Sequence, residues 1–292
     1  MKRKLLQGIA FSLAILVHGS CGEGGQAEQK KESTDEQTRI VSLSGTTTEV
    51  LCALGVQDKL VATDVTSYYP AAVAGLPKVG HNRNISAEAI LAQRPTLVVA
   101  LREQTKPDLV EQLQTAHVRV LLLDMDYSVA GTKKLVAQLA DSLGVTGQVG
   151  TIHAGIDRDM AGLAPANGAP KVLFIYARGA GTMMVAGEHT PAASMIAIAG
   201  ARNAVSGFED FKPLTAEALV AANPDVILMF DKGLESLGGI DGLLNVPGVK
   251  ETSAGKHRRV IEMDGQLLTG FGPRVGAAAS ELANKLNALN AN

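Results

Sequence analysis

Residues Ile85–Ala100 read ISAEAILAQRPTLVVA and residues Leu214–Met229 read LTAEALVAANPDVILM, and the two stretches align without a gap. In each, a hydroxyl residue, Ser86 or Thr215, stands where a helix N-cap belongs, and Ala-Glu-Ala supplies a first turn. Each helical pattern stops at a proline, Pro95 or Pro224, which has no N–H to donate and whose ring clashes with the preceding turn. An apolar run follows. Each copy therefore predicts a helix, a tight turn and a buried strand, which is half of a βαβ crossover. Two copies predict an α/β fold: two similar lobes with mostly parallel sheets, and a cleft between them where a ligand site is favoured.

Working outward, Tyr127 to Leu163 changes to helical periodicity, with Val136, Leu139, Ala140 and Leu143, then Val149, Ile152, Ile156 and Met160, spaced three and four apart. Gly144 and Gly147 divide it into two helices. The predicted organisation is a first lobe at 39–126, a single long helical connection at 127–165 and a second lobe at 166–292. One helical spine restrains the lobes to modest relative motion, unlike a hinge of several flexible strands.

The N-terminus reads as an export signal, 1–20. Lys2, Arg3 and Lys4 form a basic start, and Leu5–Val17 is an apolar run too short for a membrane span. His18-Gly19-Ser20-Cys21 resembles a lipobox, which implies a lipidated Cys21, although His18 stands where an apolar residue is usual. Cleavage by the ordinary secretory peptidase is the alternative. Residues 21–38 are polar and charged, a composition that reads as a flexible tether. The expected location is the periplasm or the outer face of the cytoplasmic membrane.

Composition excludes other classes. A net charge of -2 over 292 residues gives no basic face for nucleic acid, and the absence of Trp, with 3% aromatics, argues against a sugar site of stacked rings. Cys52 lies in an apolar helical pattern and reads as a buried, inert thiol.

In the first lobe, Ile40–Leu43 and Leu60–Thr63 read as strands, and Thr46-Thr47-Thr48-Glu49 fits a capping box. The second strand delivers Asp64–Pro70, DVTSYYP, a polar strand-end loop with two phenols, where α/β lobes place ligand-facing residues. Val79–Asn84 is a second polar loop, and Val118–Asp124 closes the lobe. In the second lobe Lys171–Ala177 is a strand, Gly179–Gly181 a turn, and Thr190-Pro191 a helix start. A Gly-rich stretch from Gly233 to Gly248 precedes the strand Arg259–Met263 and a terminal helix from Pro273.

RIVSLSGTTTEVLCALG, the duplicated unit, TSYYP, MMVAG and GFGPRVG together resemble the substrate-binding proteins of ABC importers for haem, in the helical-backbone class shared with cobalamin and siderophore binders. The likeness runs from Arg39 to Leu289. It implies haem as the transported ligand and, as partner, an ABC permease dimer with its ATPase. It implies a monomer that is not an enzyme.

The resemblance maps the axial iron ligand onto Tyr69, the residue before Pro70. Phenolate is a hard anionic donor suited to ferric iron, and since phenol ordinarily titrates near pH 10, the iron charge or a nearby cation must favour phenolate. From the residues alone, Tyr69 packing against its lobe is the competing reading, and Tyr68 is the second choice. His81 and His189 lie in loops, one per lobe, where either offers a further ligand or serves a second haem. His117, His153 and His257 read as solvated. Arg83, Arg178 and Arg274 are candidates for pairing with the haem propionates at the rim. Met183, Met184 and Met229 either line an apolar slot or fill the core. Glu88 and Glu217, equivalent in the repeat, complement their helix dipoles, and the resemblance implies that they dock on the two permease subunits.

Gly270–Gly276 lacks the spacing and the acidic ribose partner of a dinucleotide fingerprint. No nucleophile elbow, P-loop or paired-acid signature is present. Within the same transporter class the alternative ligand is cobalamin or a ferric siderophore. Outside it, the alternative is a tethered α/β enzyme.

Overall fold

The computed structural model describes residues 38–81 and 84–290; the stretches read above as export signal and tether, with Cys21, and Arg83 lie outside the described residues, save residue 38. The first lobe holds β1 (Ile40–Ser42), α1 (Gly45–Ala53), β2 (Leu60–Thr63), α2 (Ala87–Leu91), β3 (Leu97–Leu101), α3 (Pro107–Thr115) and β4 (Arg119–Leu123). Its four strands are parallel throughout, in the order β2-β1-β3-β4. Two helices follow, α4 (Val129–Leu143) and α5 (Val149–Ala161).

The second lobe begins with β5 (Lys171–Ala177), β6 (Met183–Ala186), α6 (Pro191–Ile198), β7 (Arg202–Asn203), β8 (Phe211–Pro213) and α7 (Ala216–Ala222). It continues with β9 (Val226–Phe230), α8 (Asp231–Ser236), α9 (Gly239–Leu244), α10 (Ser253–Lys256), β10 (Val260–Met263), α11 (Gly265–Thr269) and α12 (Val275–Asn290). Its sheet runs β10-β9-β5-β6-β8, with β7 against the start of β5. β6 is antiparallel to both neighbours.

The repeat is realised at equivalent caps, turns and strands, although α7 runs two residues longer than α2. Ser86 caps α2 by accepting from Ala89 N at 3.2 Å, and Thr215 caps α7 by accepting from Ala218 N at 3.1 Å. Arg94 and Asn223 occupy the same repeat position and both take positive φ, 49° and 38°, turning the chain ahead of the proline. β3 and β9 then fill equivalent positions at the centre of their sheets.

Both faces of each sheet are covered, which is why these strands are apolar without alternation. Leu97, Val99 and Leu101 of β3 face one cluster while Val98 and Ala100 face another. In β9, Val226 and Leu228 divide from Ile227 and Met229 in the same way. Each fully buried Val, Leu or Ile contributes roughly 1.5–3 kcal/mol.

The spine is cemented into both cores. Leu135, Val136, Leu139 and Ala140 of α4 pack into the first lobe, while Ile156 of α5 packs with α12 in the second. Gly144 ends α4 in the left-handed region at φ 68°. His153, expected in solvent, is half-buried, and its Nε2 lies 3.0 Å from the Lys133 carbonyl, tying α5 to α4.

One further expectation needs correction, and one stretch left without a structural reading proves helical. Thr46–Glu49 is not a capping box: Ser44 is the N-cap of α1, and Glu49 faces the second lobe instead of returning to the backbone. The Gly-rich stretch from Gly233 to Gly248 carries most of α8 and all of α9, because Leu234, Leu243 and Leu244 give it an apolar face to bury.

Candidate functional site

The cleft is built mainly from carboxyl ends of parallel strands, the usual ligand position in open α/β sheets. A cavity of about 640 Å³ lies between residues that follow β1 and β2 on one side and residues at the ends of β5, β9 and β10 on the other. That size is typical of small-molecule and cofactor sites, about 300–1,000 Å³. Its walls are largely apolar, with Val65, Tyr68, Tyr176 and Phe230 contributing. A second cavity of about 1180 Å³, lined by Lys106, Asp126, Tyr127 and His189 among others, shares Gln104 with the first.

The loop after β2 is rooted in a buried polar network. Asp64, fully buried, accepts from Thr66 N, Thr66 Oγ1 and Ser67 Oγ. Ser67 Oγ also bonds Thr48 Oγ1 of α1, which donates to Ser42 Oγ. Lys78 Nζ donates to Thr63 Oγ1 and to the Ser67 carbonyl, and burial lowers its pKa against the opposing pull of Asp64. With every buried partner satisfied, such a network fixes one loop conformation.

The two phenols at the tip differ. Tyr68, 44% exposed, lies on the wall of the first cavity, and its hydroxyl accepts from Gln266 N at 2.8 Å. Burial, reinforced by the Asp264 and Asp231 carboxylates, pushes its phenol well above the usual range, while the Gln266 bond opposes the shift. Tyr69, 40% exposed, is not on that wall. Its ring lies beneath the Arg274 guanidinium, 3.4 Å from Cζ to the ring centroid, and its hydroxyl makes no hydrogen bond among the described residues. A cis peptide bond joins it to Pro70.

Arg274 also bridges the lobes. Its Nε and Nη2 donate to the two carboxylate oxygens of Glu49 at 2.9 and 2.8 Å, a bidentate pair with Glu49 only 7% exposed. Thr46 Oγ1 adds a bond to the Gly270 carbonyl, and Thr132 Oγ1 one to the Phe271 carbonyl. The fork of Arg274 is thus engaged with Glu49 rather than open to a rim anion. Arg178 lies on the first cavity without an ion pair among the described residues, its Cζ 5.9 Å from the Tyr176 ring centroid.

His81 lines the first cavity and His189 the second, so the structure does not bring the two together. His189 is exposed, 3.8 Å from Glu209. Met229 is wholly buried in the second core, and neither Met183 nor Met184 lines either cavity. Glu88 and Glu217 are exposed in the first turns of α2 and α7 and form no ion pair among the described residues. Two residues escaped the sequence reading, Gln266 and Lys232, an exposed cation on the first cavity paired with Glu235, and Glu49 was read there only as a capping residue. For Gln266 a signal was present, a polar residue just beyond the last parallel strand.

Solved structures similar to this chain include the periplasmic heme-binding protein RhuT from Roseiflexus sp. RS-1, 37% identical, with 86% of this chain and 98% of that chain covered and a TM-score of 0.81. The periplasmic heme-binding protein BhuT, solved with two hemes, is 38% identical over 86% of this chain and 98% of that one, with a TM-score of 0.80. The ABC transporter substrate-binding lipoprotein YvrC of Bacillus subtilis is 27% identical over 98% of each chain. Residues 40–267 match the family described as periplasmic binding protein. The chain belongs to the periplasmic binding protein family; it is a substrate-binding protein, not an enzyme.

Proposed function

We propose that this chain captures haem outside the cytoplasm and delivers it to an ABC importer, a permease dimer with its ATPase. The observation that carries the reading is the contrast between the two phenols. An iron ligand must be available as phenolate. Tyr68 has its oxygen tied to Gln266 and carboxylates nearby, whereas Tyr69 has a hydroxyl that makes no hydrogen bond among the described residues and a guanidinium over its ring. Tyr69 is therefore the axial ligand, with Pro70 stiffening its loop. The heme-binding relatives support haem, and the relationship to YvrC supports an extracytoplasmic position with Cys21 as a lipid anchor.

Arg178 and Arg83 serve the propionates. His81 and His189 are held in reserve as further ligands, one per cavity. Glu88 and Glu217 meet the two permease subunits, and the protein acts as a monomer of two lobes, 39–126 and 166–292, on the 127–165 spine.

Titrating purified apoprotein with hemin tests this reading. The expected result is a Soret band with a ferric phenolate signature that disappears in Tyr69→Phe. The competing ligand is Tyr68, favoured by its place on the cavity wall; loss of the signature in Tyr68→Phe instead would select it. No spectral response to hemin, with tight cobalamin binding, would replace haem with a corrinoid.

A further inference from the structure

Gln266 stands at the carboxyl end of β10, 8% exposed, on the wall of the first cavity. It belongs to the second lobe, yet its side chain bonds the first. Its Oε1 accepts from the backbone N–H of Tyr68 at 3.2 Å and of Tyr69 at 3.1 Å. Its Nε2 donates to the carbonyls of Gly45 at 3.1 Å and Tyr69 at 3.3 Å. An amide offers two acceptor sites and two donors, and all four are used.

Gly45 makes room for this arrangement: a Cβ there would stand 3.1 Å from Gln266 Cδ and 3.2 Å from Cγ, tighter than ordinary contact. Among the described residues, the N–H groups of Tyr68 and Tyr69 have no other hydrogen-bond partner. The tyrosine loop is thus anchored at its root by Asp64, Ser67 and Lys78 of its own lobe, and at its tip the opposite lobe supplies the backbone hydrogen bonds through Gln266 and a ring contact through Arg274.

We infer that Gln266 is the positioning residue that makes the geometry of the tyrosine loop conditional on contact between the lobes. Separating the lobes withdraws the amide, leaves the tip of the loop without its partners and weakens the bond from Tyr69 to iron. Cargo release is then coupled to whatever parts the lobes. The inference rests on Tyr69 ligating haem iron, but the anchoring itself does not. No close substitute provides the same contacts. Glutamate has the length but no donor for the Gly45 and Tyr69 carbonyls, and asparagine is one methylene too short.

Two measurements on wild type, Gln266→Met and Gln266→Ala, each of which removes both the acceptor and the donor, test it: amide hydrogen exchange of the apoprotein and absorption of the hemin complex. Exchange at Tyr68 and Tyr69 should accelerate about tenfold or more in both variants, with β3 and β9 unchanged. Hemin affinity should fall about tenfold, with a weakened phenolate band. Unchanged exchange at both amides overturns the anchoring, and faster exchange with an unchanged spectrum and affinity overturns the coupling. If wild type itself gives no spectral response to hemin, the haem reading fails, while exchange still decides whether Gln266 holds the loop. Gln266→Met preserves size and carries the test if the alanine variant does not fold.

Discussion

The two lobes share a plan and part company after their first strands, β1 and β5, the second sheet carrying six strands to the first sheet's four among the described residues. β3 and β9, α2 and α7, and the caps Ser86 and Thr215 are equivalent in position and contacts. In the first lobe β1 is followed by a helix and a parallel β2, so β2 ends at the cleft and presents Asp64–Pro70 there. In the second lobe β5 is followed by a tight turn and an antiparallel β6, so the first cavity receives Arg178 at the turn. The segment after β6 brings His189 to the second cavity instead. Duplicated parts build the scaffold, and the parts that differ carry the chemistry.

Substitutions in the tyrosine loop should therefore cost function, and those at the paired caps should cost stability alike in both lobes. The largest effect is expected at Tyr69: Tyr69→Phe should abolish the phenolate signature and lower hemin affinity about a hundredfold or more, whereas Arg178→Ala, which removes a charged hydrogen-bond donor, should lower it about tenfold. Isothermal titration of both variants checks the ranking. Equal losses would erase the distinction between the lobes.

Next in size is Glu49→Ala, which leaves Arg274 partly buried without its carboxylate and should destabilise the protein by about 3 kcal/mol in urea unfolding. A cost near zero would mean that the pair does not brace the lobes. Ser86→Ala and Thr215→Ala should each cost about 1 kcal/mol, and equally, because each removes the same cap. Clearly unequal costs would show that the repeat is alike in backbone only.

The smallest effect concerns Cys52. Burial, with Glu49 adding, pushes its thiol up to about 11. The folded state resists forming the thiolate, so this contribution to stability is present below the ordinary thiol range and is lost as pH rises through about 11. Reaction with a thiol reagent in the native state should accelerate only near that pH; a rise near pH 8.5, the ordinary cysteine value, would contradict it.

What the sequence disclosed follows from how far each signal reaches along the chain. The caps, the prolines and the apolar strands of the repeat are local, so both copies were legible residue by residue. The direction of β6 was also within reach and was not drawn, since a turn as short as Gly179–Gly181 admits only an antiparallel neighbour, a parallel one needing a long crossover. Glu49 was misread as a capping partner because its true partner, Arg274, is remote in sequence. Gln266 was passed over for the same reason. The loop bearing Tyr68 and Tyr69 was found from its place after β2, but which phenol is free and which is bonded depends on Gln266 and Arg274 across the cleft.

The central claim is that the first lobe supplies the iron ligand from Tyr69. The most direct measurement is resonance Raman spectroscopy of the ferric hemin complex of wild type, Tyr68→Phe and Tyr69→Phe. Phenolate modes are expected in wild type and Tyr68→Phe and none in Tyr69→Phe. Phenolate modes that persist in Tyr69→Phe would contradict it.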